Sequence, residues 1–328
     1  MSSTSSNPLI IVTGHRKAGT SLLHRLFDSV PGLTVYPPDM SILYAYFPCF
    51  TANASLTNTE LESRLCLVVK NSLDYMSQHN EVAFDVDKFL NIMKSKIINT
   101  DLRSKFEVVM MIRQSWLDYQ ELEVGALPFL FKETSQSVFF EKYLAMFPNL
   151  KMISIIRDPR DNFAAINEGI RGYYSHLGEG DMESLSSLIN RARMDMMAAK
   201  INQKNHPKAF LAIRFEDLVV DPRTTMQAVS SFLNMKFDEK MLIPTALGNP
   251  YKGNSYGDNK SSNISSEKIG NWKSRIPASS AKIIEYWLAK EMKDWSYKTD
   301  FSLEQSQLEF SSFYEWYNCK YFYNDSYQ

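Results

Sequence analysis

Apolar residues along the chain keep two rhythms. Five short, nearly unbroken runs read as buried strands of a parallel sheet: "PLIIVTG" (8–14), "PGLTVYP" (31–37), "LPFLFKET" (127–134), "LKMISII" (150–156) and "AFLAIRFEDL" (209–218). Between them the apolar positions move to helical spacing. Leu22, Leu23, Leu26, Phe27 and Val30 form one such stripe. "VFFEKYLAMF" (138–147) and "SLSSLINRARMDMMAAKINQ" (184–203) read as helices, and Pro159 and Pro222 are placed to open two more. Residues 41–125 break the alternation. "TELESRLCLVVKNSLDYM", "VDKFLNIMKSKIINT" and "RQSWLDYQELEVGA" are helical throughout, which predicts a helical insertion between two parts of the sheet.

Strand alternating with helix predicts an α/β fold, a three-layer arrangement with a mostly parallel central sheet and helices on both faces. The expectation is a single domain over 1–328. Ligands of such sheets sit beyond the carboxyl ends of the strands, where Gly14, Arg157 and "RFED" (214–217) all fall. Residues 248–275 are rich in Gly, Ser and Asn and predict a long mobile loop carrying Lys252, Lys260, Lys268, Lys273 and Arg275. A solvated, mobile loop and a functional lid fit that composition equally. The aromatic stretch "FYEWYNCKYFYND" near the C-terminus reads as a packed helix.

Composition narrows the function. Of 328 residues, 36 are Lys or Arg and 37 are Asp or Glu, for a formal net charge of −1, so duplex nucleic acid is not an expected partner. Any anion must be held by a local basic cluster. Cys49, Cys66 and Cys319 are too few and too irregular for a disulfide framework or a zinc site. No charged leader precedes a long apolar run, and no stretch nears the roughly 20 apolar residues of a spanning helix. The expectation is a cytoplasmic protein without a transmembrane anchor.

"TGHRKAGTSLL" (13–23) carries the chemistry. Gly14 and Gly19 keep the G-x-x-x-x-G spacing of a phosphate loop between strand and helix. A nucleoside-triphosphate loop then needs a lysine, and this chain has Thr20. A kinase of a small hydroxylated compound thus loses its central charge. The backbone N–H groups of 17–21 still open a helix, Lys17 lies within the loop, and Arg16 adjoins it. Such a loop suits a short phosphate chain with one cation at the bond that breaks.

Lys17-Ala18-Gly19-Thr20-Ser21-Leu22-Leu23 resembles the [RK]-[ST]-G-T-[ST]-x-L loop of sulfotransferases that use 3′-phosphoadenosine 5′-phosphosulfate (PAPS), departing from it at Ala18. "ISIIRDPRDNFAA" (153–165) is similar to the family's 3′-phosphate segment, with Ala165 where a serine is usual and Asn162 or Asn167 as replacements. "KET" (132–134), "RFEDLVVDPRTTMQAVSSFL" (214–233), "GNS" (253–255) and "GNWK" (270–273) follow in the family's order. The resemblance implies a P-loop-type fold and sulfuryl transfer from PAPS, with no metal, to a saccharide or small metabolite. It implies Arg16, Lys17, Ala18, Gly19, Thr20, Ser21, Arg157 and Lys273 around the nucleotide, with Lys17 stabilising the leaving phosphate and Lys132 near the sulfuryl group. A degenerate member that binds nucleotide without turnover is the remaining alternative. The oligomeric state is not legible.

The acceptor needs a base. The resemblance offers Asp39 in "YPPDM", which serves equally as a helix N-cap for "MSILYAYF". Glu133 is the next carboxylate, and His176 is a rival by analogy with small-molecule sulfotransferases, although a lone loop histidine is more often solvated. "RDPRD" (157–161) also reads as a helix start in which Asp158 caps and Arg160 pairs with Asp161. Arg214, Glu216 and Asp217 read as a structural ion-pair network.

Overall fold

The computed structural model describes residues 8–47, 56–80, 83–123, 127–170, 180–251, 253 and 263–322. Its centre is a five-stranded sheet of β1 (Leu9–Gly14), β2 (Thr34–Asp39), β3 (Phe129–Lys132), β4 (Lys151–Ile156) and β5 (Phe210–Arg214). The spatial order is β2-β3-β1-β4-β5 and every pairing is parallel, so all five carboxyl ends share one edge.

β1 lies in the middle and is buried along its length. Its alternating side chains feed two cores, the period-2 geometry of a strand covered on both faces. Leu9 and Ile11 join Phe129, Phe131 and Met152 on one side, under the insertion helices and the Pro159–Ile170 and Asp181–Asn205 helices. Ile10 and Val12 join Leu130, Ile153 and Ile155 on the other, under Thr20–Arg25, Phe215–Val220 and Pro222–Leu233. The three-layer α/β fold expected from the alternation is the fold found.

The insertion between β2 and β3 holds a short π-helical turn (Ile42–Tyr46) and the helices Asn58–Asn80, Val86–Ile97 and Lys105–Tyr119. The last of these differs from expectation: it starts eight residues before Arg113 and stops at Tyr119. Ser104 sets its start by accepting a hydrogen bond from the Glu107 N–H, an N-cap that the mixed polarity of 105–112 obscured. β5 also ends earlier than the run 209–218 suggested. Phe215, Leu218 and Val219 stand at i, i+3 and i+4 and enter the second core together, so the chain turns helical at Phe215.

Parts of the 248–275 loop are ordered. Thr245–Ala246 pairs antiparallel with Asn249–Pro250, and Trp272–Arg275 is a helical turn. Lys252, Lys260 and most of "GNS" lie outside the described residues. Two helices, Ala278–Trp287 and Ala289–Asp294, precede the expected C-terminal helix, Leu303–Phe322. Among the described residues no helix is long and apolar enough to cross a membrane.

Candidate active site

At the carboxyl edge of the sheet a cavity of about 690 Å³ opens. The loop between β1 and the Thr20–Arg25 helix forms its floor. Two glycines permit that loop. Gly14 has φ 145°, and a Cβ there would lie 2.4 Å from the Ile155 carbonyl oxygen. Gly19 has φ 107°, and a Cβ would lie 2.5 Å from the Phe215 ring. Lys17 takes the left-handed region with φ 64°, a strained choice for a residue with a Cβ.

The loop is pinned by its carbonyls. The Arg157 guanidinium donates to the Lys17 carbonyl at 2.9 Å, and the Asn162 amide donates to the Arg16 carbonyl at 2.7 Å. The first-turn N–H groups of the helix have no partner within it and open onto the cavity side. Arg157 stands at the end of β4, buried, with its guanidinium 4.5 Å from the centre of the Phe215 ring.

Seven basic side chains line the cavity (Arg16, Lys17, Arg25, Lys132, Arg157, Lys268 and Arg275) against two carboxylates, Asp39 and Glu168. In a chain of net charge −1 this is a local concentration of positive charge. Burial, reinforced by nearby Lys132, pushes the Lys17 ammonium down to about 7. Lys132 at the end of β3 pairs with Asp39 at the end of β2.

The structure separates the carboxylates. Asp39 is not the N-cap of the turn that follows; its side chain is half exposed and faces the cavity. Glu133 does the capping instead, accepting the Tyr44 N–H at 3.0 Å. Burial, and then the charge of Asp39, raises the Glu133 carboxyl to about 8. A carboxyl whose folded pKa exceeds its unfolded value stabilises the fold at acid pH. That contribution is lost as pH rises from about 4.5 through about 8. Glu133→Gln should therefore match the wild type in denaturant midpoint at pH 5. At pH 8.5 it should exceed the wild type by at least about 1 kcal/mol, the worth of one pK unit.

Most of the loop residues singled out by sequence meet in the cavity: Arg16, Lys17, Gly19, Thr20, Ser21, Asp39, Lys132 and Arg157 line it. Ala18 turns the other way into the second core. Ser21 shares a side-chain hydrogen bond with Tyr251. Ala165 lines the cavity; Asn162 is engaged with the loop, and Asn167 does not reach the cavity lining. Lys273 is exposed and pairs with Asp300 at 2.5 Å, while its neighbours Lys268 and Arg275 face the cavity. His176 lies outside the described residues.

Asp161 pairs with backbone, not with Arg160. It accepts the Gly270 and Trp272 N–H groups at 2.7 and 2.9 Å, and so seats "GNWK" beside the cavity. Arg160 binds Asp158 and Glu285. Arg214 pairs with Asp217 at 3.5 Å, and Glu216 accepts the Asp158 N–H and the Tyr297 hydroxyl, a scaffold as expected. Sequence reasoning missed Arg25, Glu168, Phe215 and Tyr251, and the face Val68, Asn71, Ser72, Tyr75 and Met76 of the Asn58–Asn80 helix. The helical spacing of that face was legible, but nothing marked it as facing a cavity.

Residues 8–239 match the model of the sulfotransferase family. No curated protein matches the chain in sequence. Among solved structures, the sulfotransferase domain from the curacin biosynthetic pathway superposes with a TM-score of 0.59 at 17% identity, covering 90% of this chain and 99% of that domain. The sulfotransferase domain of the Synechococcus PCC 7002 olefin synthase superposes with a TM-score of 0.55 at 17% identity, covering 91% and 98%.

Proposed function

The chain belongs to the sulfotransferase family, and we propose that it moves the sulfuryl group of PAPS to a hydroxyl or amine acceptor bound in the cavity at the carboxyl edge of the sheet. One observation carries the reading: Lys17, the Lys132–Asp39 pair and Arg157 converge on one cavity above a glycine loop. Gly19, Thr20 and Ser21 hold the 5′ phosphosulfate by backbone and hydroxyl donors, with Arg16 and Ala18 shaping the loop. Arg157 takes the 3′-phosphate. Lys268 fits the nucleotide side of the cavity better than Lys273, which Asp300 engages.

The step needs no metal in its balance. The acceptor oxygen forms a bond to sulfur as the bond from sulfur to the bridging phosphate oxygen breaks. The acceptor proton passes to Asp39, and the electron pair stays on the bridging oxygen, where Lys17 and the loop N–H groups stabilise it. Lys132 orients Asp39 and faces the sulfuryl oxygens. The acceptor's own identity, a saccharide or a small metabolite, follows from the other side of the cavity.

The test is a titration with the product nucleotide, adenosine 3′,5′-bisphosphate (PAP), without metal. Wild type should bind, and Arg157→Ala should bind at least about tenfold more weakly, as expected for a lost charge-assisted contact. Absence of PAP binding, with Mg²⁺-dependent ATP binding in its place, would overturn the reading in favour of a kinase.

The depressed Lys17 adds a pH signature. Phosphate anions favour the protonated lysine, and without nucleotide Lys17 loses its proton above about 7. PAP affinity should therefore fall between pH 7 and 9, where the phosphates are already fully ionised, and binding at pH 8 should take up a proton. Calorimetry in two buffers of different ionisation enthalpy reads that uptake directly, and Lys17→Met should abolish it.

A further inference from the structure

Arg25 closes the Thr20–Arg25 helix and is buried, with 7% of its surface exposed, yet it is one of the residues that line the cavity, and its Nη1 is buried without a hydrogen-bond partner. Among the described residues it makes no side-chain hydrogen bond and no ion pair. Among those residues it packs against the Tyr251 ring, whose centre lies 5.6 Å from the guanidinium carbon. The carboxylate three residues on, Asp28, is taken: it accepts the Thr245 hydroxyl at 2.9 Å and the Gly248 N–H at 2.8 Å. Asp39 is held by Lys132. Neither of these two carboxylates pairs with Arg25.

Burying a guanidinium without a counter-charge is costly. The carbonyl end of a six-residue helix and one aromatic face each return only a fraction of that cost. The remainder of the site has the features of a ligand subsite. Tyr251 is buried, bonds the Ser21 side chain, and feels the charges of both Arg25 and Asp39 and the nearby Tyr75. Arg25 thus shares the Asp39 side of the cavity. Lys17 feels Lys132, the partner of Asp39, and then Glu168, Lys268 and Arg157, so it stands between the Asp39–Lys132 pair and the cations assigned to the nucleotide.

Resting on the sulfotransferase reading above, we propose that the acceptor is an organic oxyanion, a hydroxyl compound bearing a carboxylate or phosphate, whose negative group is bound by the Arg25 fork against the Tyr251 ring while its hydroxyl lies at Asp39. The planar guanidinium suits a two-oxygen partner. Such an anchor fixes the acceptor at a second point and aligns its hydroxyl with the sulfuryl group. A neutral sugar or an aliphatic alcohol would leave Arg25 unpaired and is selected against.

The experiment uses PAP-saturated full-length protein and matched probes: 4-hydroxybenzoate and 4-hydroxybutyrate, each against its methyl ester, measured by calorimetry. In wild type the acids should bind about tenfold to a hundredfold more tightly than the esters. Arg25→Gln should erase that preference and leave PAP affinity within about twofold, since the proposed phosphate contacts come from the loop N–H groups, Lys17 and Arg157. Arg25→Lys, which keeps charge but not the fork, should keep part of it. A phosphate-bearing hydroxyl probe, glycerol 3-phosphate against glycerol, separates the two oxyanions. Equal binding of acid and ester, no binding of any anionic probe, or a preference that survives Arg25→Gln would each overturn the proposal while leaving the nucleotide reading intact. A large loss of PAP affinity in Arg25→Gln would also overturn it, by assigning Arg25 to the nucleotide. The wild-type comparison requires no variant to fold. Failure of wild type to bind PAP at all would overturn the sulfotransferase reading itself, and this one with it.

Discussion

Lys17→Ala should lower kcat by about 10²–10³, the usual cost of removing one group aimed at charge that develops in a transition state. PAP affinity should change by less than about tenfold, because loop N–H groups and Arg157 hold the nucleotide. The reason lies in how Lys17 is kept. It occupies the left-handed region in a buried loop, its carbonyl is tied down by Arg157, and burial holds its ammonium near 7. A lysine strained and desolvated in this way is poised to gain most when negative charge appears beside it. Lys17→Arg should keep turnover within about tenfold, since the charge remains. It should also flatten the pH dependence of PAP binding, because a guanidinium does not titrate in that range. A Lys17→Ala enzyme whose kcat stayed within about threefold of wild type would remove Lys17 from the chemistry.

The sheet and the loop were legible because they rest on local signals. Five apolar runs and one loop that depends on two glycines are strong at short range, and the carboxyl-edge rule then places Gly14, Arg157 and Arg214 together. What was not legible depends on pairings distant in sequence. Asp39 looked equally like a cap because its partner, Lys132, lies 93 residues away. The cap was Glu133, reaching back 89 residues to Tyr44. Nothing in the sequence marks Arg25, a basic residue in a last helical turn, where cations are common. Its isolation emerges only when Asp28 is seen to serve Thr245 and Gly248, over 200 residues on. Lys273 was favoured over Lys268 by motif, and side-chain direction around a short helical turn reversed their places.

The same long-range logic predicts the largest stability effect. Arg160 is 4% exposed and sits in a cage: Asp158 and Glu285 pair with it, the Lys298 carbonyl accepts from it at 2.9 Å, and the Trp272 ring lies 4.3 Å away. Glu285 is buried too and also accepts the Asp300 and Phe301 N–H groups at 3.0 and 3.1 Å. Glu285→Ala removes a counter-charge and orphans two backbone donors at once. It should destabilise the protein by about 3–5 kcal/mol, as for other broken buried pairs. Glu285→Gln keeps an acceptor for the N–H groups and should recover part of that loss. The effect should reach the cavity, because Arg160 and Asp161 lie three and four residues after Arg157 and Asp161 seats the Gly270–Trp272 turn that carries Lys268 and Arg275 to the lining. PAP affinity of folded Glu285→Gln should therefore fall alongside its denaturant midpoint. If Glu285→Ala unfolded within about 1 kcal/mol of wild type, the cage would be a surface-like pairing, and the 157–161 segment would owe its position to the sheet alone.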